Sequence, residues 1–179
     1  MIYLPKRALF IHIPRTAGNS ITNAIASSCA GNNYDILIGT VANRFKDDWT
    51  AIFQTHARAC KLKPYIDDWD DIFKFAIYRD EKERLESIKR LVERDIKQRT
   101  YETKVCDKVW KKILTNNIER NNFYKTISKQ DLNFYIKSEN GDDLGVEIFE
   151  YDNLSDDWVR ICNKCGIEPC ELKHLNSSR

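Results

Sequence analysis

The sequence lacks the features by which composition alone assigns a chain to a membrane or to a nucleic acid. It has no apolar run near the roughly 20 residues that cross a bilayer. Met1 to Arg7 lead into a short apolar strand without the charged start and apolar core of a secretory signal. The 29 basic residues are balanced by 27 acidic ones, for a formal charge of +2, so any anion site must be local. We expect a cytoplasmic protein with no membrane span and no nucleic-acid partner.

The sequence also lacks a complete zinc-binding motif. There are three histidines and six cysteines, and only Cys162, Cys165 and Cys170 lie close together. A C-x2-C pair is half of many zinc sites, but a second pair is missing, although His174 is nearby. Cys162 and Cys165 also continue the apolar stripe of a helix that contains Trp158. This pattern favours buried, reduced thiols, which fit a cytosolic protein.

Short apolar strands alternate with amphipathic helices along the chain. Ala8 to Ile13 reads as a buried strand that ends at Pro14, and a helix with its apolar positions at helical spacing follows, closed by Gly31. Phe73 to Tyr78 is a second clear strand, followed by a charged helix with one apolar stripe. The alternation predicts one domain over residues 1–179, with a three-layer α/β fold and a mainly parallel sheet.

Other elements are less sharply marked. Tyr34 to Ile38 and Ala51 to Thr55 are short strand candidates, and the polar stretch from Asn116 to Asn122 fits no element. Leu132 to Ile136 and Val146 to Phe149 flank an Asn-Gly-Asp turn signal, which predicts a hairpin.

A compact polar loop joins the first strand to the first helix. It reads Pro14-Arg15-Thr16-Ala17-Gly18-Asn19-Ser20. At a helix N-terminus its backbone N–H groups and the helix dipole would converge on one phosphate, and Arg15 would add a permanent charge. An ordinary turn, in which Asn19 or Ser20 only caps the helix, explains the loop equally well. The loop is not a Walker A motif, because G-x4-G-K-S/T needs two glycines and a lysine that are absent, which disfavours a kinase or an ATPase.

The segment FIHIPRTAGNSI resembles the 5′-phosphosulfate-binding loop of the sulfotransferase family, whose carbohydrate-acting branch carries a pattern close to H-I-P-K-T-G-G-T-S. The resemblance implies a P-loop-type α/β fold and the donor 3′-phosphoadenosine 5′-phosphosulfate (PAPS), with the product PAP. It assigns the 5′ end of the donor to Arg15, Thr16, Ala17, Gly18, Asn19 and Ser20. Arg15 stands where lysine is usual, and Ala17 replaces a glycine; an arginine still neutralises a phosphate oxygen, with a different geometry.

A second cluster of anion-binding residues follows the strand that ends at Tyr78. FKFAIYRDEKERLESI resembles the 3′-phosphate segment of the same family, a strand followed by R-x-P-x-x-R-x-x-S, with Glu81 at the position of the proline. The resemblance assigns the 3′-phosphate to Arg79 and Ser87, while Arg84 lies three residues before Ser87 on one helix face. Without the resemblance, this is a solvated helix rich in salt bridges. Two matched motifs in the right order favour the anion site.

Sulfuryl transfer needs a base for the attacking hydroxyl, and His56 is the candidate. It lies in Thr55-His56-Ala57-Arg58-Ala59, and small bacterial-type members of the family have a similar H-x-x-A segment ahead of the same strand. A surface histidine is the alternative, and His12, inside the first strand, is expected to be structural. The tail from Leu172 to Arg179 resembles a P-H-x-N-x-S segment that lies near the nucleotide in such enzymes, with Lys173 at the proline position; a solvated terminus is equally compatible.

The resemblance implies transfer of sulfate from PAPS to a hydroxyl, with Arg15 and His56 as catalytic residues, a carbohydrate as acceptor and no metal cofactor. Two other functions stay open: a PAP- or PAPS-binding module without turnover, and an ATP-dependent P-loop kinase. Four aromatic residues are candidates for stacking on a sugar ring, although core packing is their commoner role. They are Tyr101, Trp110, Phe123 and Tyr124.

Overall fold

The computed structural model describes residues 1–32, 37–38, 55–102 and 108–173. The described residues form two compact units, one from 1–79 and 132–173 and the other from 80–131. The expected single domain stays a prediction.

A five-stranded sheet forms the centre of the first unit, in the order β3-β1-β2-β4-β5. The strands are β1 (Ile2–Leu4), β2 (Ala8–Ile11), β3 (Leu37–Ile38), β4 (Phe73–Tyr78) and β5 (Glu147–Glu150). β2 pairs in parallel with β4, and β4 with β5, whereas β1 is antiparallel to both of its neighbours. The predicted mainly parallel sheet is therefore confirmed, with one reversed strand that the sequence pattern did not indicate.

Helices surround this sheet and build the second unit. In the described residues they are α1 (Gly18–Asn32), α2 (Ala59–Leu62), α3 (Glu81–Lys97), α4 (Lys108–Thr115), α5 (Asn117–Ile127), α6 (Leu132–Ile136) and α7 (Leu154–Cys165). Single 3₁₀ turns lie at Lys63–Tyr65 and Thr100–Glu102. None of the helices in this part of the chain is long and apolar enough to cross a bilayer.

The sheet is buried on both faces. In β2, Ala8 and Phe10 join one apolar cluster, which includes residues of α1 and α7. Leu9 and Ile11 join the opposite cluster, which includes residues of α2 and α6. Side chains alternate across a strand, so a run that is apolar at every position marks a strand covered on both sides. This α/β arrangement is compatible with three layers.

The predicted hairpin is wrong. Leu132–Ile136 is the helix α6, and Tyr135 is buried in the second cluster. β5 pairs in parallel with β4, with Phe149 opposite Ile77. A five-residue apolar run has too few positions to separate a period of 2 from a period of 3.6, so tertiary packing decided between helix and strand.

Two further sequence predictions concern short or polar segments. The polar stretch after Thr115 is the start of α5, because the Asn116 side chain accepts hydrogen bonds from the backbone N–H groups of Ile118 and Glu119. β3 coincides with the end of the strand predicted at 34–38, and Thr55 lies in a turn. Residues 34–36 and 51–54 lie outside the described residues.

The predicted burial of Cys162 and Cys165 is confirmed. Cys162 and Cys165 are buried in α7, beside Trp158. Burial raises the pKa of Cys162 to about 11 and raises the pKa of Cys165 further, so both thiols stay protonated. His174 lies outside the described residues.

Candidate functional site

The loop between β2 and α1 has an unusual backbone. Arg15 and Ala17 adopt the left-handed conformation, with φ of 68° and 64°. The left-handed conformation costs about 1–2 kcal/mol for a residue other than glycine. Strained loops of this kind are concentrated at functional sites. Turns that combine left-handed residues point successive N–H groups into one concavity, where anions bind.

Internal hydrogen bonds hold this loop in shape. The Thr16 hydroxyl donates to the carbonyl oxygen of Ile13 at 2.9 Å, and the Thr16 side chain is buried. Ile21 N–H donates to the carbonyl oxygen of Ala17 at 3.1 Å, which starts the helical ladder of α1. Ser20 is also buried, while Asn19 is exposed and Arg15 is half-buried. The Thr16 hydroxyl therefore shapes the loop.

Arg79 lies against this loop. It directly follows β4, the parallel neighbour of β2, and its Nη1 donates to the carbonyl oxygen of Arg15 at 3.4 Å. Its guanidinium also lies over the Tyr151 ring, 4.4 Å from the ring centroid. Tyr151 directly follows β5, and its N–H donates to the carbonyl oxygen of Tyr78 at 2.7 Å. Three adjacent parallel strands thus bring the loop, Arg79 and Tyr151 to one edge of the sheet, where ligands bind in open α/β sheets.

Arg84 and Ser87 lie in the second unit and are both buried in α3. Arg84 Nε donates to Glu81 Oε2 at 2.9 Å, and Arg84 Nη2 donates to the carbonyl oxygens of Ile127 and Gln130. Glu81, at the position of the family's proline, is therefore the ion-pair partner of Arg84. These bonds give Arg84 a structural role after the end of α5. The expected pairing of Arg79 with Ser87 at one phosphate stays a prediction.

The backbone carbonyl of His12, directly after β2, holds His56 in one tautomer. Its Nδ1 lies 2.8 Å from the carbonyl oxygen of His12, and because a carbonyl only accepts, Nδ1 carries the proton. The lone pair of His56 is then on Nε2, the form that a general base needs. Desolvation by the protein around the ring lowers the pKa of His56, although part of the side chain is exposed, so the ring is neutral at pH 7.

The His12 ring is almost fully buried, with 4% of its surface exposed. It stacks on Phe10 with ring centroids 5.7 Å apart, and it meets the His56 ring edge to face at 4.5 Å. Burial lowers the pKa of His12 to about 2, so its ring is neutral across the physiological range. A structural role for His12 agrees with this burial, but the ring also contacts a candidate catalytic residue.

The aromatic residues of the second unit that are candidates for stacking on a sugar contact one another. Trp110 meets Phe123 edge to face at 5.8 Å, and the Trp110 indole N–H donates to Asp95 Oδ2 at 3.2 Å. Phe123 and Tyr124 are in contact at 5.8 Å. All four aromatic side chains, including Tyr101, keep a partly exposed surface. Trp110, Phe123 and Tyr124 therefore pack on one another, as is common for such residues.

Sequence reasoning missed Tyr151 and the contacts of the His12 ring. Tyr151 was overlooked because its strand was placed in a hairpin rather than beside β4. The tail from residue 174 to residue 179, which carries the rest of the family-like segment, lies outside the described residues.

A scan against protein-family models gave no match, and searches of the curated proteins and of the solved structures found no similar protein. The chemistry of the site must therefore be read from its own residues.

Proposed function

We propose that this chain binds PAPS and transfers its sulfuryl group to a hydroxyl of a carbohydrate acceptor, on a three-layer fold of the P-loop type. One observation carries the proposal: the left-handed loop at the start of α1 lies at the end of a central parallel strand, with Arg79 of the neighbouring strand bonded to it. This geometry supports an anion site with two independent cations.

The 5′ end of the donor is assigned to the loop. Backbone N–H groups from Arg15 to Ser20 and the positive end of the α1 dipole would hold its phosphate and sulfate oxygens. Arg15 carries a charge at any physiological pH, so it can stabilise the negative charge that grows on the leaving phosphate.

The 3′-phosphate is assigned to Arg79, with Ser87 as its proposed second partner. Stacking on Tyr151 and the bond to the Arg15 carbonyl fix the plane of the Arg79 guanidinium. An arginine that is held before the ligand arrives loses less side-chain entropy on binding. A planar fork also suits two oxygens of one phosphate.

His56 is assigned as the base. In the proposed reaction the acceptor oxygen attacks the sulfur, its proton passes to His56 Nε2, and the bond from sulfur to the bridging phosphate oxygen breaks, releasing PAP. The tautomer that the His12 carbonyl imposes leaves Nε2 able to take that proton. In-line positioning and charge stabilisation then supply most of the rate.

Transfer of radiolabelled sulfate from PAPS to a panel of sugars tests the proposal. Arg15→Ala should reduce transfer by about 100-fold or more with the fold intact. The matched control is Arg90→Ala, which removes an exposed arginine of α3. Wild-type turnover in Arg15→Ala would refute its role.

Binding of PAP without transfer to any acceptor would identify a binding module. Magnesium-dependent ATP binding that PAP does not displace would identify a kinase.

A further inference from the structure

The first residue of α1 sits directly on the His12 ring. A Cβ atom added to Gly18 would overlap Nε2, Cδ2 and Cε1 of His12. These atoms belong to a rigid, buried ring that is stacked on Phe10, so the ring cannot swing away as a flexible side chain would. Glycine at position 18 is therefore required by the neighbour rather than by the backbone angle, and the ring sets how close α1 and its loop come to β2.

The same residue also holds His56 in place. The His12 carbonyl fixes the proton on His56 Nδ1, and the His12 ring covers one side of the His56 ring. One residue at the end of β2 thus contacts the proposed phosphate loop and the proposed base together. A change in the His12 ring should therefore alter both the loop and the position of His56.

An imidazole is a costly choice for this position. Among the described residues, His12 Nδ1 has no hydrogen-bond partner, although it is buried. A buried polar atom without a partner destabilises the fold, and an apolar ring would fill the same space without that cost. The contacts of the ring with Gly18 and with His56 depend on its shape, which an apolar ring of similar size would also supply.

We infer that His12 is a positioning residue of the proposed transfer site. Through Gly18, its ring sets the distance between β2 and the proposed phosphate loop. The residue also orients His56 and shields it from water. This inference rests on the proposed function for its catalytic meaning, but the contacts themselves do not. It goes beyond the expectation of a structural histidine, because it predicts effects on the donor and on the base at once.

The pH dependence of activity separates positioning from simple packing. Burial is the largest influence on the pKa of His56, the hydrogen bond with the His12 carbonyl raises it, and the amino group of Met1 lowers it. Among the described residues, the His12 ring is the other titratable group in contact with His56, and it is neutral where His56 titrates. Removal of the His12 ring should expose more of the His56 ring to water, so the pKa of His56 should rise toward the ordinary value of 6.5. A base with a higher pKa is protonated earlier on acidification. The acid limb of kcat/KM should therefore move to higher pH in His12→Ala.

The first test is a size-exchange cycle on the full chain. Gly18→Ala alone should lower the melting temperature by about 5 °C or more, because it forces a methyl group into the ring. In a His12→Ala background the same change should cost under about 2 °C, because the space is open. Equal losses in the two backgrounds would overturn the proposed contact.

The second test measures activity and the His56 ring. His12→Ala should raise KM for PAPS and shift the acid limb of kcat/KM upward, and His12→Phe, which keeps a flat ring, should recover most of both losses. An unchanged acid limb in His12→Ala would overturn the positioning role. If the wild-type chain neither binds PAP nor transfers sulfate, the proposed function fails. Titration of the His56 imidazole by NMR in wild type and His12→Ala then decides the inference, since the predicted rise in its pKa needs no ligand.

Discussion

The Arg79 guanidinium donates a hydrogen bond to the main-chain oxygen of Arg15 across 3.4 Å, although the two residues are 64 positions apart in sequence. The bond joins the ends of two neighbouring parallel strands. It places the Arg79 cation beside the proposed phosphate loop, which supports the proposed site for a bisphosphorylated ligand.

Arg79→Ala should weaken PAP binding about 10- to 100-fold, because charge-assisted hydrogen bonds contribute about 1.5–3 kcal/mol. Arg79→Lys should recover only part of this, since lysine keeps the charge but loses the planar fork. Calorimetric titration with PAP checks both variants. The matched control is Arg160→Ala, which removes another arginine that lies over an aromatic ring, that of Phe149. An equal loss of affinity in Arg79→Ala and in the control would contradict the assignment.

Ala17→Gly should stabilise the chain by about 0.5–1 kcal/mol, because glycine adopts the left-handed conformation without steric cost. The same substitution at Ala24, inside α1, should destabilise it by about 1 kcal/mol. Urea denaturation of the two variants measures the opposite signs. A loss of stability in Ala17→Gly would show that Ala17 is not strained.

Acid should destabilise the chain through His12. Its folded pKa of about 2 lies below the ordinary 6.5, so the unfolded chain binds this proton more readily. Above pH 6.5 the His12 ring is neutral in both the folded and the unfolded chain, so it has no effect of this kind. Below pH 6.5 only the unfolded chain takes up the proton, so the free energy of unfolding falls by about 1.4 kcal/mol per pH unit. Urea denaturation from pH 7 to pH 4.5 should show a shallower decline in His12→Phe than in the wild-type chain. Parallel declines would mean that the His12 ring becomes protonated in the folded state.

Arg84→Ala should lower the free energy of unfolding by about 3 kcal/mol, because Glu81 and two carbonyl oxygens lose their donor. Glu81→Gln, which keeps an acceptor for the guanidinium, should cost about 1 kcal/mol. PAP affinity should be unchanged in both variants below their melting temperatures. A folded Arg84→Ala chain with weakened PAP binding would instead give Arg84 a role in the site.

The parts of the fold that could be predicted are those whose pattern is long and regular. β4 and α3 were predicted because a six-residue, mostly apolar run and a seventeen-residue amphipathic helix are each long enough to show their pattern. Leu132–Ile136 was misjudged because five residues are too few to show one. The antiparallel β1 was unforeseen because pairing direction depends on partners that are distant in sequence.

The site divides in the same way. The loop at Arg15 and the cation at Arg79 are local motifs, so the sequence indicated both. The contact between Gly18 and His12 depends on how a helix packs on a strand end, and the role of Arg84 depends on carbonyl groups after α5. No local pattern reports such contacts.

We propose above all that one site of the chain binds both phosphate groups of a 3′,5′-bisphosphorylated adenosine. Thermal denaturation with PAP, AMP and ATP side by side tests it, because at equal concentration a ligand that the folded chain binds more tightly raises the melting temperature further. The account predicts the largest rise with PAP, a smaller one with AMP, and loss of the difference between them in Arg79→Ala. Equal rises with PAP and AMP, or a rise with ATP and magnesium alone, would contradict it.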